Sequence, residues 1–144
     1  MNETHKHGIR LLLVDDDPSM VRLLKTIIEQ SWGDHVELFS LTDASEAHQW
    51  LENHLIDVLV TDLEMPGVDG LELLRCAKRR NPCAQVIFVT GHSTLDSLVD
   101  AMELGATDYL LKPFDHAEVL ELLDDAAKRL RRWRRALAGT LTAQ

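Results

Sequence analysis

Apolar and amphipathic runs alternate five times along this chain, and that alternation limits the fold more than any other feature. Runs such as Leu11-Leu12-Leu13-Val14, Val58-Leu59-Val60-Thr61 and Val86-Ile87-Phe88-Val89 are each followed by a segment whose apolar residues recur at helical spacing. Repeated strand–helix units of this kind predict an α/β fold with a mainly parallel sheet covered by helices. Strands are expected near 10–15, 35–40, 57–62, 84–90 and 107–111, and helices near 18–31, 43–54, 69–80, 94–104 and 115–137. The second strand, His35-Val36-Glu37-Leu38-Phe39, alternates in polarity, which suits a sheet edge. Asp17-Pro18 reads as a helix start, as do the acid pairs Asp43/Glu46, Asp69/Glu72 and Asp115/Glu118 and the pair Ser93/Asp96. Gly33 and Gly105 stand where left-handed helix ends belong. A length of 144 residues leaves room for one such domain.

In an open parallel sheet, ligands sit beyond the carboxyl ends of the strands, where strand order reverses. Those ends carry the unusual residues of this sequence. Asp15-Asp16-Asp17 follows the first strand, Asp62 the third, Thr90 ends the fourth and Lys112 follows the fifth. One cap needs one acid, so Asp17 is read as the cap and Asp15 and Asp16 as free for another task. Converging carboxylates repel unless a cation is present, and Mg²⁺ favours one or two carboxylates together with phosphate oxygens. Pro66-Gly67 and Asp69-Gly70 already supply turn chemistry, which frees Asp62 to act as a nucleophile towards a phosphoryl donor. Thr90 can donate to a phosphoryl oxygen. Lys112, ending a buried strand, needs a counter-charge, and Pro113 permits a cis bond that would aim it inward.

Composition narrows the alternatives. All 24 acids lie at or before Asp125 with nine of the fifteen bases, leaving that body near −15 and arguing against direct nucleic-acid binding. The other six bases fall between Lys128 and Arg135. No apolar stretch approaches the roughly 20 residues that cross a bilayer, and Met1–His5 carries no signal-like apolar region. With two cysteines, Cys76 and Cys83, reduced thiols and a cytoplasmic location are expected. His5, His7, His35, His48, His54 and His116 lack metal-ligand spacing, and His5-Lys6-His7 reads as part of a disordered leader over residues 1–8.

The sequence resembles the receiver domain of two-component response regulators, including the single-domain chemotaxis type. The motifs are Val14-Asp15-Asp16, Asp62-Leu63-Glu64-Met65-Pro66-Gly67-Val68-Asp69-Gly70, Val89-Thr90-Gly91 and Gly105-Ala106-Thr107-Asp108-Tyr109-Leu110-Leu111-Lys112-Pro113-Phe114. The resemblance implies a doubly wound (βα)5 sheet of flavodoxin-like strand order 2-1-3-4-5, occupying residues 9–125. It implies that Asp62 is the phosphoacceptor for a sensor histidine kinase or phosphotransfer protein. Asp16, Asp62 and the main-chain carbonyl of Glu64 would bind Mg²⁺ (or Mn²⁺), with Asp15 acting largely through water. Thr90 and Lys112 would contact the phosphoryl group, and Tyr109 would turn inward as Thr90 moves, switching the surface of the fourth helix, fifth strand and fifth helix. Glu64 and His92 would tune phosphoryl lifetime. Such a domain catalyses only its own phosphorylation and dephosphorylation.

Two competitors remain at this point. An aspartate-based phosphohydrolase also uses acids, Mg²⁺, a hydroxyl and a lysine, but carries its nucleophile in an Asp-x-Asp motif after the first strand and usually adds a cap domain. A phosphorylation-independent interaction module has little reason to keep every pocket residue. A dinucleotide-binding enzyme is excluded because no Gly-x-Gly-x-x-Gly follows the first strand. Beyond Asp125, Val119, Leu123, Ala126, Leu130, Trp133 and Leu137 form a heptad-like seam. Residues 126–144 are read as an extended helix ending near Ala138-Gly139-Thr140, serving as a dimerising helix or a linker to an output domain. The competing readings are a frayed amphipathic end with a solvated basic face and, ranked last for want of a recognition fold, an electrostatic contact to nucleic acid or an acidic partner.

Overall fold

The computed structural model describes residues 8–143. Five parallel strands, β1 (Ile9–Val14), β2 (Val36–Leu41), β3 (Val58–Thr61), β4 (Gln85–Thr90) and β5 (Asp108–Leu111), lie in the order β2-β1-β3-β4-β5. Connecting them are α1 (Pro18–Trp32), α2 (Ala44–Asn53), α3 (Gly70–Arg80), α4 (Leu95–Glu103) and the terminal α5 (His116–Ala143). This is the doubly wound, flavodoxin-like topology. The leader expected over residues 1–8 lies outside the described residues except for Gly8.

Successive strand residues point to opposite faces, so the continuous apolar runs fill two cores at once. Leu11, Leu13, Val60 and Ile87 meet Leu24 and Ile28 of α1 and Leu123 and Leu130 of α5 on one face. Leu12, Leu59 and Phe88 meet Leu51 of α2, Leu73 of α3 and Ala101 of α4 on the other. The register pairs Val14 with Thr61, Thr61 with Phe88 and Thr90 with Leu111. Asp15, Asp62 and Lys112, each the next residue after a strand, therefore leave the sheet on the same edge.

Helix starts follow the expected chemistry with one shift. Asp17, Asp43 and Asp69 accept from the amides of Ser19, Ser45 and Glu72. At α4, however, the cap is Thr94 and not Ser93. Thr94 Oγ1 accepts from Ser97 N and Ser97 Oγ accepts from Thr94 N, both at 3.1 Å, a reciprocal pair that the sequence offers one residue later. The last helix also overruns its expected end at Ala138-Gly139-Thr140 and continues to Ala143. Gly139 weakens a helix without stopping it. Thr140 and Thr142 turn their hydroxyls back onto the carbonyls of Ala136 and Ala138.

The seam along α5 is largely internal to the domain. Val119, Leu123, Ala126 and Leu130 are buried against the sheet, whereas Trp133 and Leu137 are exposed. One turn past Leu130 the core-facing line is taken by Arg134, whose guanidinium pairs with Asp57 Oδ1 at 2.6 Å and donates to the Gly8 carbonyl at 2.9 Å. Asp57 in turn accepts from the amide of Arg10 at 2.8 Å. Arg134 thus fastens the helix to the floor of the sheet, opposite the acidic edge.

Candidate phosphoryl and metal site

The acidic edge forms an open cleft of about 520 Å³ lined by Asp15, Asp16, Asp62, Glu64, His92 and Lys112 among others. Carboxylate oxygens of Asp15, Asp16 and Asp62 all lie within 4.8 Å of one another. Asp15 is 1% exposed and Asp62 9%, so neither charge is fully hydrated. Each is oriented by the chain around it. Asp15 Oδ1 accepts from Asp17 N at 2.9 Å, and Asp62 Oδ1 accepts from Leu63 N at 2.7 Å. Lys112, whose bond to Pro113 is cis, reaches across to Asp15 Oδ2 at 2.8 Å and Asp62 Oδ2 at 3.3 Å.

One ammonium faces three carboxylates, so the cluster keeps an excess of negative charge that suits a divalent cation. Its all-oxygen donor set is the kind Mg²⁺ prefers. Burial pushes the Asp15 carboxyl above its usual 3.8, an effect only partly offset by Lys112 and the Asp17 amide. Burial would lower Lys112, but its bonds to Asp15 and Asp62 outweigh this and hold the ammonium above its usual 10.5. The stability that Lys112 supplies is therefore fully present below 10.5 and is lost as pH rises through the higher native value. We expect Lys112→Met to lower stability at neutral pH by about 1–2 kcal/mol, less than for an enclosed pair because the cleft is open to solvent. Urea unfolding at several pH values checks this: the deficit should narrow above pH 10.5, and added Mg²⁺ should reduce it at pH 7.

Thr90 and Tyr109 do not line this cleft. Thr90 is fully buried, and its hydroxyl is engaged by the loop that follows, accepting from His92 N at 3.2 Å and donating to His92 O at 3.4 Å. Tyr109, beside Phe88 with ring centroids 6.0 Å apart, already has its hydroxyl buried, with no hydrogen-bond partner among the described residues. An unpaired buried hydroxyl costs about 1–3 kcal/mol. Tyr109→Phe should therefore raise stability by about 1 kcal/mol, measured as a higher urea midpoint at unchanged slope.

Sequence reasoning overlooked Gly70, the first residue of α3. A Cβ placed there would lie 2.4 Å from the Asp62 carbonyl oxygen and 3.0 Å from Leu63 Cα. The helix end packs directly on the backbone that carries Asp62. The Asp-Gly pair alone signalled only a turn.

Comparison with known proteins accords with this geometry. The family profile of the response regulator receiver domain matches residues 11–124. The DNA-binding transcriptional regulators NtrC of Klebsiella pneumoniae and Escherichia coli K12 are each 40% identical over 114 residues, covering 79% of this chain and 24% of theirs. The chain thus spans about a quarter of the length of these relatives. A CheY-like receiver domain protein from Methanospirillum hungatei superposes with a TM-score of 0.77 at 30% identity, covering 86% of this chain and 97% of that one. The beryllofluoride-activated NtrC4 receiver domain dimer gives 0.74 at 30% identity, covering 84% and 98%. Sheet order, acidic edge and a match over residues 11–124 converge, and the chain belongs to the receiver domain family of two-component response regulators.

Proposed function

We propose that Asp62 accepts a phosphoryl group from the phosphohistidine of a sensor kinase or phosphotransfer protein. The observation that carries this reading is the meeting of three carboxylates with Lys112 Nζ in one solvent-open cleft. Asp16, Asp62 and the Glu64 carbonyl would hold Mg²⁺ or Mn²⁺, with Asp15 behind them, and that ion would offset charge on the transferred oxygens. An Asp62 oxygen attacks phosphorus as the bond to the histidine nitrogen breaks. The amide of Leu63 fixes the plane of the attacking carboxylate, and Lys112 supplies a fixed positive charge beside it.

Thr90 would leave its contacts with His92 to donate to the phosphoryl group, opening space beside the Tyr109 ring. That exchange of hydrogen bonds would bias the surface of α4, β5 and α5, where Leu95, Met102 and Leu111 are exposed, towards an output domain or partner. Glu64 and His92, at the mouth of the cleft, would set how readily water reaches the aspartyl phosphate. The chain would turn over no separate metabolite. It would act in the cytoplasm, without direct contact to nucleic acid, and pair with a second copy through α5.

Intact-mass analysis after incubation with a small phosphodonor tests the reading. One phosphoryl adduct per chain is expected, lost when Mg²⁺ is chelated. Absence of an adduct with every donor tried would leave a domain that works by contact alone.

A further inference from the structure

From Ala126 to the end of the sequence there is no acid, while Lys128, Arg129, Arg131, Arg132, Arg134 and Arg135 crowd a short stretch of α5. Of these bases only Arg134 has a salt bridge among the described residues. Spacings of three and four residues put Arg129, Arg132, Trp133 and Ala136 on one side of the helix. They line a groove of about 350 Å³. Trp133 is 56% exposed, which leaves a large flat ring uncovered between two unpaired guanidinium groups.

A third cation stands beside the groove. Lys78, near the end of α3, is partly buried and has no salt bridge among the described residues. Burial pushes its ammonium below the usual 10.5; the Cys83 thiol opposes this, and the like charge of Arg129 adds to it. Cations gathered without a counter-charge repel one another, and an anion that bridges them removes that cost. The cluster is therefore built for a negative ligand, and the open Trp133 ring asks that the ligand carry a flat apolar part.

We propose that this groove binds a nucleoside phosphate, its base laid on the Trp133 ring and its phosphates held by Arg129 and Arg132, with Lys78 as the flanking cation. A guanidinium fork matches two phosphate oxygens, and an aromatic face takes any nucleobase. The volume falls within the range of small-molecule sites, about 300–1,000 Å³. Larger anionic partners fit worse. A nucleic-acid strand following the helix would run onto Asp125, Asp124 and Glu121, where like charge opposes it. A bilayer is held off because Trp133, Leu137 and Leu141 continue the line of Ala126 and Leu130, which faces the domain's own sheet. Arg134, between Trp133 and Ala136, is anchored at the floor of the sheet, so the groove is remote from the acidic cleft and independent of phosphoryl transfer to Asp62. Pairing of two copies along the turns of α5 before Arg129 leaves it open.

Titration of the full chain with ATP at low ionic strength tests the site, with EDTA present to keep Mg²⁺ out of the acidic cleft. The readout is the Trp133 indole N–H in proton–nitrogen correlation spectra, assigned by its loss in Trp133→Phe. The signal should shift saturably with a Kd of roughly 1 mM or below. Arg129→Gln and Arg132→Gln should each weaken binding about tenfold, because each removes a charge-assisted contact. Arg131→Gln, the same charge change on the other side of the helix, should cost less than about twofold. Trp133→Ala should bind ATP no more tightly than it binds inorganic tripolyphosphate. No shift with millimolar ATP would overturn the proposal. So would equal losses for Arg131→Gln and Arg129→Gln, which would leave only diffuse attraction by the basic run. Tripolyphosphate binding to the wild type as tightly as ATP would leave no place for a base. A single-stranded oligonucleotide that binds more tightly per phosphate than ATP would replace the small ligand with a nucleic-acid strand. Circular dichroism of each variant separates lost binding from lost folding.

Discussion

Asp62→Asn should abolish the phosphoryl adduct altogether while leaving the fold intact. The amide is nearly isosteric and keeps an oxygen for the Leu63 amide that now holds Oδ1 at 2.7 Å. It is not a nucleophile towards phosphorus under these conditions, and it removes one of the oxygens within 4.8 Å of Asp15 and Asp16. The loss is one of chemistry and should be complete, not a matter of degree. Intact mass with Mg²⁺ and donor should show no adduct, and native mass with beryllofluoride no mimic complex. The variant's thermal midpoint without Mg²⁺ should match or exceed that of wild type, because one of three mutually repelling carboxylates is gone while Lys112 keeps its shorter bond to Asp15. An adduct surviving in the variant would move the acceptor to another residue. Unfolding of the variant would show that the Asp62–Lys112 pair at 3.3 Å carries structural weight.

The convergence of residues on one cleft was legible wherever it follows from position on a strand. Asp15, Asp62 and Lys112 were legible because each directly follows an apolar run, and parallel pairing brings such residues to one edge. What needed three dimensions were choices between near-equal local alternatives and contacts between distant segments. Ser93 and Thr94 both offer a hydroxyl cap. Only the match to Ser97 decides for Thr94. Periodicity along α5 fixed which residues share a face but not whether that face meets its own sheet or another chain. Leu130 proved buried, one turn before Trp133 proved open. Asp57 and Arg134 carry no mutual signal, since ordinary surface charges at those positions would read the same. Thr90 was identifiable as a hydroxyl at the strand end, but its engagement with His92 depends on a side-chain rotation that sequence does not specify. The same holds for the Tyr109 hydroxyl, expected to turn inward on activation and found already buried.

Gly70→Ala should damage stability and phosphoryl transfer together, although the residue touches no ligand. Its Cβ would meet the Asp62 carbonyl oxygen at 2.4 Å, Phe88 Cε1 at 2.9 Å and Leu63 Cα at 3.0 Å. Phe88 is fully buried, and the other two atoms are main chain, so none is the free end of a flexible side chain. Relief requires α3 to withdraw or the Asp62–Leu63 backbone to shift. Withdrawal strains the bond from Gly70 N to the Leu63 carbonyl, now 2.8 Å, and loosens Leu73 and Leu74 in the core. Overpacking of this kind costs about 1–3 kcal/mol, and the enclosure here points to the upper end, about 3 kcal/mol. A backbone shift would instead displace Asp62, the proposed acceptor, and a misplacement of about 1 Å can slow a positioned reaction by roughly 100-fold. The variant should thus show a lower urea midpoint and, where still folded, much slower adduct formation at saturating donor and Mg²⁺. Gly139→Ala is the matched control, because nothing lies within 4 Å of a Cβ there. In that open helical position alanine should stabilise the chain by about 0.5–1 kcal/mol and leave adduct formation unchanged. If the two alanines behaved alike, close packing of α3 on the Asp62–Leu63 backbone would not be what holds Asp62 in place.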